Sequence, residues 1–371
     1  MDGYSLKLKR NDLYTILIGL IALQDALNSS SLFKPMLEIM KYPLLGTILC
    51  FMVYLILKDK GNMVSWMIFV VFMLLGVNTA KVLSTNAILY IVILCFLSRK
   101  RDITKGAKVV LGIMGSTFLM HMSVFLFTYL FSRGSLQYLS WNGLNRYYIY
   151  YDHPNNAAKY FLFLCVLIAY LYTEKMKLSH WFCILTTMMV VYYFTYSESA
   201  YVVAILFFIS IFKRQLWMKK CIDFFARYGM IIVFAISASL AFVITIPVIS
   251  NAVMLLDGIG SGRFSNMFRA VQQYGISFFG QKVIFGNYRI LGGYDSIYAD
   301  NLTVYCMTYL GLIYIFAICI LFYFAAKKLD ANGKICLCIF IIFSFFENRV
   351  LGIEAYFAVI IAANALTKKI E

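Results

Sequence analysis

Residues 87–131 read AILYIVILCFLSRKRDITKGAKVVLGIMGSTFLMHMSVFLFTYLF, two apolar runs joined by a short basic segment. The segment between positions 99 and 108 carries five Lys and Arg residues, whereas the flanking runs carry no Lys, Arg, Asp or Glu. An apolar run of about 17–25 residues crosses a bilayer as a helix, and short loops rich in Lys and Arg stay on the cytoplasmic side. The stretch therefore predicts a membrane-spanning helix near 109–131 and the end of a preceding one that begins near residue 82, joined by a cytoplasmic loop.

The composition of the whole chain extends this prediction. Of its 371 residues, 62% are hydrophobic and 13% are charged, whereas soluble domains contain about 45–50% apolar and about 25% charged residues. These values exclude a soluble enzyme, a secreted disulfide scaffold and a disordered chain. Because the apolar runs are continuous, they favour helices over barrel strands. We predict an all-α polytopic membrane protein with about 12 transmembrane helices. The predicted helices lie near residues 13–27, 43–57, 63–77, 82–97, 109–131, 158–173, 182–196, 200–212, 228–250, 301–325, 335–346 and 350–366.

The charges indicate how the helices are oriented. The formal net charge is +16, from 33 Lys and Arg against 17 Asp and Glu residues. Most of the basic residues fall at the same alternate ends of the predicted helices, and such ends are typical of the cytoplasmic side. Both termini are therefore predicted to be cytoplasmic, and the positive charge indicates topology and not nucleic-acid binding. Because twelve helices would leave no room for a soluble domain, we predict a single integral membrane domain over residues 1–371.

Two predicted external loops, about residues 132–157 and 251–300, are much longer than the others. Loops longer than about 12–15 residues are usually functional or disordered, and the aromatic content of these two argues against disorder. Aromatic faces suit sugars, and Arg suits phosphate or carboxylate groups. We predict that the two loops form a candidate active site for an anionic, glycosylated ligand. The alternative for each Arg is a neighbouring carboxylate or a lipid phosphate. The candidate anion-binding residues are Arg146, Arg263, Arg269 and Arg289.

His153 is a candidate base, because it lies beside Asp152 in the first long loop and histidine titrates near neutral pH. The alternative is structural. Pro154 would then end the loop, Asn155 would cap the next helix, and His153 would only bridge the loop backbone.

Other ionisable residues lie beside predicted membrane boundaries. Glu198 occupies a very short external turn, as a candidate base or a simple exposed residue. Asp300 precedes the helix after the second long loop. Glu347 and Arg349 flank another short turn and are predicted to neutralise charged groups in the second long loop. The nine Cys residues lie mostly within predicted helices, so we expect neither a disulfide framework nor a metal site.

Three sets of motifs in and after the long loops carry a resemblance. They are Arg146 with His153-Pro154-Asn155, Gly260-Ser261-Gly262-Arg263 with Phe279-Gly280, and Asp300-Asn301 with Tyr309-Leu310-Gly311-Leu312. Together they resemble the bacterial polysaccharide repeat-unit polymerases, the Wzy proteins that build O-antigens, capsules and exopolysaccharides. The resemblance covers the whole chain in topology. Where many relatives carry Ser-Arg, this chain has Ser197-Glu198, so a basic contact there is missing or supplied elsewhere.

The resemblance implies a membrane glycosyltransferase of the bacterial cytoplasmic (inner) membrane, acting on its outer face. The donor would be a glycan on undecaprenyl diphosphate, and the acceptor a lipid-linked repeat unit delivered by a flippase. The acceptor hydroxyl would displace the lipid diphosphate with inversion, without a metal or cofactor. A chain-length regulator is a further expected partner.

The implied roles divide the candidate residues into two groups. His153 is the first choice for the base, with Asp300 or Glu198 in reserve. The substrate and diphosphate-binding group is Arg146, Asn155, Arg263, Arg269, Arg289 and Arg349.

Two other functions stay open. An O-antigen ligase uses a similar donor but moves finished glycan to another acceptor. A lipid-linked oligosaccharide flippase or another transporter also suits twelve helices, although no internal repeat is evident and the helices hold few central charges.

Overall fold

The computed structural model describes most of the chain, and its described part is overwhelmingly helical. The described residues are 10–59, 61–83, 86–99, 101–141, 143–243, 263–283, 286–290, 293–297, 299, 301–348 and 351–367. The helices, α1 to α14 in chain order, are Arg10–Asn28, Lys34–Leu57, Met63–Leu83, Ala87–Leu97, Ile103–Phe131, Pro154–Tyr172, Leu178–Thr195, Val202–Phe212, Leu216–Val243, Arg263–Tyr274, Leu302–Tyr305, Leu312–Ala325, Ala331–Phe346 and Ile353–Thr367. The predicted all-α class is confirmed for these residues.

Two short antiparallel hairpins interrupt the helices within the regions predicted as long loops. Strand β1 (Tyr138–Trp141) pairs with β2 (Leu144–Tyr147), and β3 (Gly286–Ile290) pairs with β4 (Gly293–Ile297). The second long loop also contains α10, which the apolar-run pattern did not predict. It was missed because this helix is amphipathic and polar, so it lacks the continuous apolar run of a membrane span.

Six helices, α2, α3, α5, α6, α7 and α9, are long and apolar enough to cross a bilayer. The apolar helices α4, α8, α12, α13 and α14 are shorter. Large side chains such as Leu57, Leu74 and Phe182 are exposed on the longer helices, as expected for faces that contact acyl chains. The chain is therefore a helical membrane protein, while the number of spans and the side of each terminus stay predictions.

One predicted span is not a continuous helix. The run at 301–325 contains α11, a π-helical turn at Cys306–Leu310, and α12. Gly311 separates the π-helical turn from α12. Gly311 has φ 115° and ψ 139°, a conformation that glycine adopts readily and that no helix contains. Each of the other predicted spans overlaps a helix, with the end of 228–250 lying outside the described residues.

The chain divides into two compact units. Unit 1 is Met1–Asn62, Leu94–Phe212 and Ile353–Lys369, and unit 2 is Met63–Ile93, Lys213–Gly352 and Ile370–Glu371. In unit 1, α5 packs against both α1 and α6, and most of the side chains of α6 are buried. In unit 2, α9 packs against α12 and α13, and Met267 and Val271 of α10 enter a small apolar core with Val304. Each unit therefore has its own apolar interior.

Candidate functional site

Arg146 occupies a defined position in unit 1. Strand β2 carries it opposite Leu139 of β1. Its Nε donates to the carbonyl oxygen of Thr195 at 2.8 Å, and its Nη2 donates to Oδ1 of Asn155 at 2.5 Å. The side chain is half-buried, and these bonds fix the plane of the guanidinium group, which favours recognition of a planar or bidentate anion. The structure therefore brings together Arg146 and Asn155, two predicted substrate-binding residues.

His153 is the N-cap of α6. Its backbone is extended, and its Nδ1 accepts a hydrogen bond from the backbone N–H of Asn155 at 3.1 Å. The structural alternative named Asn155 as the cap, and this detail is wrong, because Pro154 occupies the first helical position and makes the preceding residue the cap. Since Nδ1 uses its lone pair in the cap, a neutral imidazole carries its proton on Nε2 in this arrangement.

Glu198 lies close in sequence to the carbonyl that anchors Arg146. Helix α7 ends at Thr195, and Tyr196 follows with φ 46° and ψ 37°, which turns the chain away from the helix axis. Ser197 is buried, whereas Glu198 is exposed at the start of a short 3₁₀ turn. The carboxylate is thus on a tight turn in the same unit as Arg146 and His153.

An aromatic cluster includes a residue of the first hairpin. Phe194 packs edge-on against Phe125 and Tyr129, with ring centroids 4.8 and 5.0 Å apart, and Tyr147 of β2 joins them. The guanidinium of Arg133 lies 4.2 Å from the Tyr129 ring centroid, a cation–π distance. Burial raises the pKa of Tyr147 and neighbouring Tyr129 raises it further, so the Tyr147 hydroxyl stays protonated at neutral pH.

The candidate arginines of the second long loop lie in unit 2. Arg263 contacts Glu347 with Nη2 3.6 Å from Oε1, and its Nη1 donates to the carbonyl of Phe346 at 3.3 Å. The alternative of a neighbouring carboxylate partner is therefore observed for Arg263. Arg269 is exposed on α10, and Arg289 lies on β3 opposite Tyr294.

Several predicted residues lie outside the described residues. These are Asp300, Arg349 and the Gly260-Ser261-Gly262 part of the second motif. Their roles stay predictions.

Gly280 and Gly311, which belong to two of the motifs that carry the resemblance, lie in contact in unit 2. Gly280 and Gly311 approach so closely that a Cβ atom on Gly311 would lie 2.7 Å from the backbone N of Gly280 and the carbonyl O of Phe278. The peptide N–H of Ser277 donates to Met307, and that of Leu312 donates to Ser277. The segment before Gly280 thus supplies backbone partners to the interrupted helix, which makes the interruption compatible with burial.

Asn301, at the start of the interrupted helix, is fully buried and forms four hydrogen bonds. Its Oδ1 accepts from the N–H groups of Thr303 and Val304, and its Nδ2 donates to Ser237 Oγ and to the carbonyl of Phe345. The Asp-Asn pair before an apolar run is a sequence signal for such a cap. The links to α9 and α13 have no signal in the local sequence.

Sequence reasoning also missed an ionic group in unit 1, formed by Asp25, Lys159 and Glu354. These residues are distant in the chain, and each one alone resembles an ordinary residue at a helix end. No group of three or more His, Cys, Asp or Glu side chains that could hold a metal ion occurs in the part of the chain that the structure describes.

Comparison with protein families, with curated proteins and with solved structures finds no match to the chain. The fold defines the class, a helical membrane protein with structured, aromatic segments between helices. Because one fold can carry many functions, a narrower function depends on the chemistry of the candidate site.

Proposed function

We propose that the protein polymerises oligosaccharide repeat units carried on undecaprenyl diphosphate, at the outer face of a bacterial cytoplasmic membrane. The observation that carries the proposal is the hydrogen-bonded cluster of Arg146, Asn155 and the Thr195 carbonyl beside the His153 cap. Arg146, His153 and Asn155 belong to the Arg…His-Pro-Asn motif through which the chain resembles repeat-unit polymerases. A guanidinium held in a fixed plane is suited to a diphosphate.

In the proposed reaction, the acceptor sugar hydroxyl attacks the anomeric carbon of the donor glycan. A new glycosidic C–O bond forms while the bond to the lipid diphosphate breaks, and its electron pair remains on the departing phosphate oxygen. Arg146 would stabilise the charge that develops there. The diphosphate leaving group supplies the driving force, so the reaction needs no nucleotide. A single displacement inverts the anomeric centre, whereas retention would require a second, nucleophilic carboxylate.

We assign Glu198 as the group that receives the proton of the acceptor hydroxyl. Glu198 is an exposed carboxylate on the turn that follows Thr195, and a carboxylate can act as a general base. The Nδ1 atom of His153 accepts the hydrogen bond from the N–H of Asn155. His153 is then a positioning residue, because it fixes the first turn of α6, which carries Asn155 and thereby helps to orient Arg146.

Replacing Arg146 by Ala is expected to lower polymer formation by about 100- to 1,000-fold, because one preorganised donor to the leaving group is lost. Arg146→Lys keeps the charge but loses the planar two-bond geometry, so it should restore activity only in part. The measurement is the length distribution of glycan on gels, in the gene-deleted source strain complemented with each variant at matched protein levels.

Arg133→Ala is the matched control, since Arg133 lies in the same loop but stacks on Tyr129. It should leave the glycan ladder unchanged. Full-length polymer from Arg146→Ala at a normal protein level would contradict the proposal.

The deletion strain itself separates the alternatives. Loss of a polymerase leaves single repeat units on the final acceptor, whereas loss of a ligase leaves none. A flippase defect would instead retain the lipid-linked unit in the cytoplasmic leaflet. Transport is a second candidate function, because the interruption at Gly311 is the kind of discontinuous helix found in transporters.

His153→Asn and His153→Ala are expected to behave differently. Asn is a good N-cap, so His153→Asn should retain most of the polymer, whereas His153→Ala should destabilise the protein by about 1 kcal/mol and reduce the yield. Thermal melting of the purified variants and the same glycan gels test this. A stable His153→Asn variant without polymer would return the base role to His153.

A further inference from the structure

A buried ionic cluster lies at the ends of three helices in unit 1. Lys159 of α6 pairs with Glu354 of α14, with Nζ 2.9 Å from Oε1. Both side chains are buried, with exposed fractions of 10% and 0%. Asp25, near the end of α1, accepts a hydrogen bond through Oδ2 from the backbone N–H of Ile353 at 2.8 Å. Asp25 itself is half-buried. Three ionisable side chains from three helices therefore meet in one largely buried region.

Polar groups around the cluster are incompletely bonded. Tyr160 bonds to Ser29 and donates to the backbone carbonyl of Asp25, and its ring packs against Tyr151 at 4.8 Å between centroids. In the described part of the chain, the buried Tyr151 hydroxyl and both carboxylate oxygens of Glu354 have no hydrogen-bond partner, although Oε1 is ion-paired with Lys159. Buried polar atoms in native proteins are nearly always satisfied, so such a group signals a ligand, a water or a proton.

Tyr151 is a neutral group facing this region. Burial raises its pKa well above the ordinary value, and the Glu354 carboxylate raises the pKa further. Its hydroxyl therefore remains protonated and contributes no charge to the cluster.

The charges of the cluster do not balance if every member is ionised. Lys159 compensates one carboxylate, and no second cation lies within ion-pair distance of Asp25 or Glu354 in the described part of the chain. The other titratable groups on the helices packed against α1 do not supply one. On α5, His121 bonds to Ser30, and Lys105 and Lys108 are exposed. On α2, Lys34, Glu38 and Lys41 are exposed. Because Glu354 and Lys159 are buried and Asp25 is half-buried, an uncompensated charge in this cluster is costly.

We propose that Asp25, Lys159 and Glu354 form a proton-binding site. Lys159 stays charged opposite Glu354, and one proton from water bonds to a carboxylate oxygen of Asp25, which becomes a neutral acid at neutral pH. The neutral acid can still accept the hydrogen bond from the Ile353 N–H. The site is independent of the proposed glycosyl transfer.

The test is the infrared C=O stretch of a protonated carboxyl group, recorded at neutral pH on the full chain in lipid nanodiscs. The wild-type protein should show this band, with a shift in D₂O. Asp25→Asn and Glu354→Gln should each abolish it, because one remaining carboxylate then balances Lys159. Lys159→Met should raise its intensity about two-fold, because both acids must then be neutral.

Lys334→Met is the matched control, since Lys334 pairs with a partly exposed Asp223 at 2.6 Å. That carboxylate is hydrated after the change, so the band should not alter. Absence of the band from the wild-type protein, or its persistence in both Asp25→Asn and Glu354→Gln, would overturn the proposal. Sodium-dependent thermal stabilisation of the wild-type protein, lost in Asp25→Asn and without an acid band, would identify a cation site instead.

Discussion

Gly311→Ala is expected to lower the free energy of unfolding by about 4 kcal/mol or more, enough to prevent accumulation of folded protein. The backbone at Gly311 has φ 115°, which strains any residue with a Cβ atom. The added Cβ would also lie 2.7 Å from two backbone atoms, the N of Gly280 and the O of Phe278. Rotation of a side chain cannot relieve a contact with backbone, so the segment and the interrupted helix would have to separate.

Two other glycines separate these causes. Gly275 has φ 67° but no atom within 4 Å of a Cβ, so Gly275→Ala should cost about 1–2 kcal/mol from backbone strain alone. Gly112, inside α5, also has open space and an ordinary helical backbone, so Gly112→Ala should be neutral or stabilising by up to about 1 kcal/mol.

The measurement is the yield of monodisperse protein after detergent extraction, followed by the melting temperature of each variant. A Gly311→Ala protein with the same melting temperature as Gly112→Ala would show that the Gly280–Gly311 contact is not required. If its melting temperature instead equals that of Gly275→Ala, the backbone strain at positive φ alone would account for the effect.

The interruption at Gly311 shows what the apolar-run pattern can and cannot predict. Such runs predict helices because backbone groups in a bilayer must be bonded within the helix, and that argument locates α5 and α6 well. It fails at 301–325, because the missing bonds are supplied by residues near Ser277, which belong to a region predicted as an external loop. A tertiary partner of that kind leaves no mark on the local hydropathy.

The candidate site divides in the same way. Arg146 and Asn155 are close in sequence, and both belong to the motif that carries the resemblance, so their contact could be predicted. The Thr195 carbonyl that anchors Arg146 lies at the end of another helix, so this contact could not be predicted. The residue type of Arg263 predicted an anionic partner. The partner observed is anionic, but it is the Glu347 carboxylate of the chain itself.

Asn301→Ala is expected to destabilise the protein by about 3–5 kcal/mol, the second large effect predicted for unit 2. The change removes a helix cap and leaves the partly buried Phe345 carbonyl and the buried Ser237 hydroxyl without the Asn301 amide. Asn348→Ala is the control, since it removes one hydrogen bond, to the carbonyl of Ala299, and should cost about 1 kcal/mol.

Asn301→Asp distinguishes the two parts of this effect. A carboxylate still accepts from the N–H groups of Thr303 and Val304, so the cap survives, but it cannot donate to Ser237 or Phe345. If the links to α9 and α13 dominate, Asn301→Asp should melt as early as Asn301→Ala. If it melts near the wild-type temperature, the cap alone accounts for the residue. An Asn301→Asp protein that keeps the wild-type melting temperature and yet makes no polymer would instead assign Asn301 to substrate binding, since no loss of structure would explain the defect.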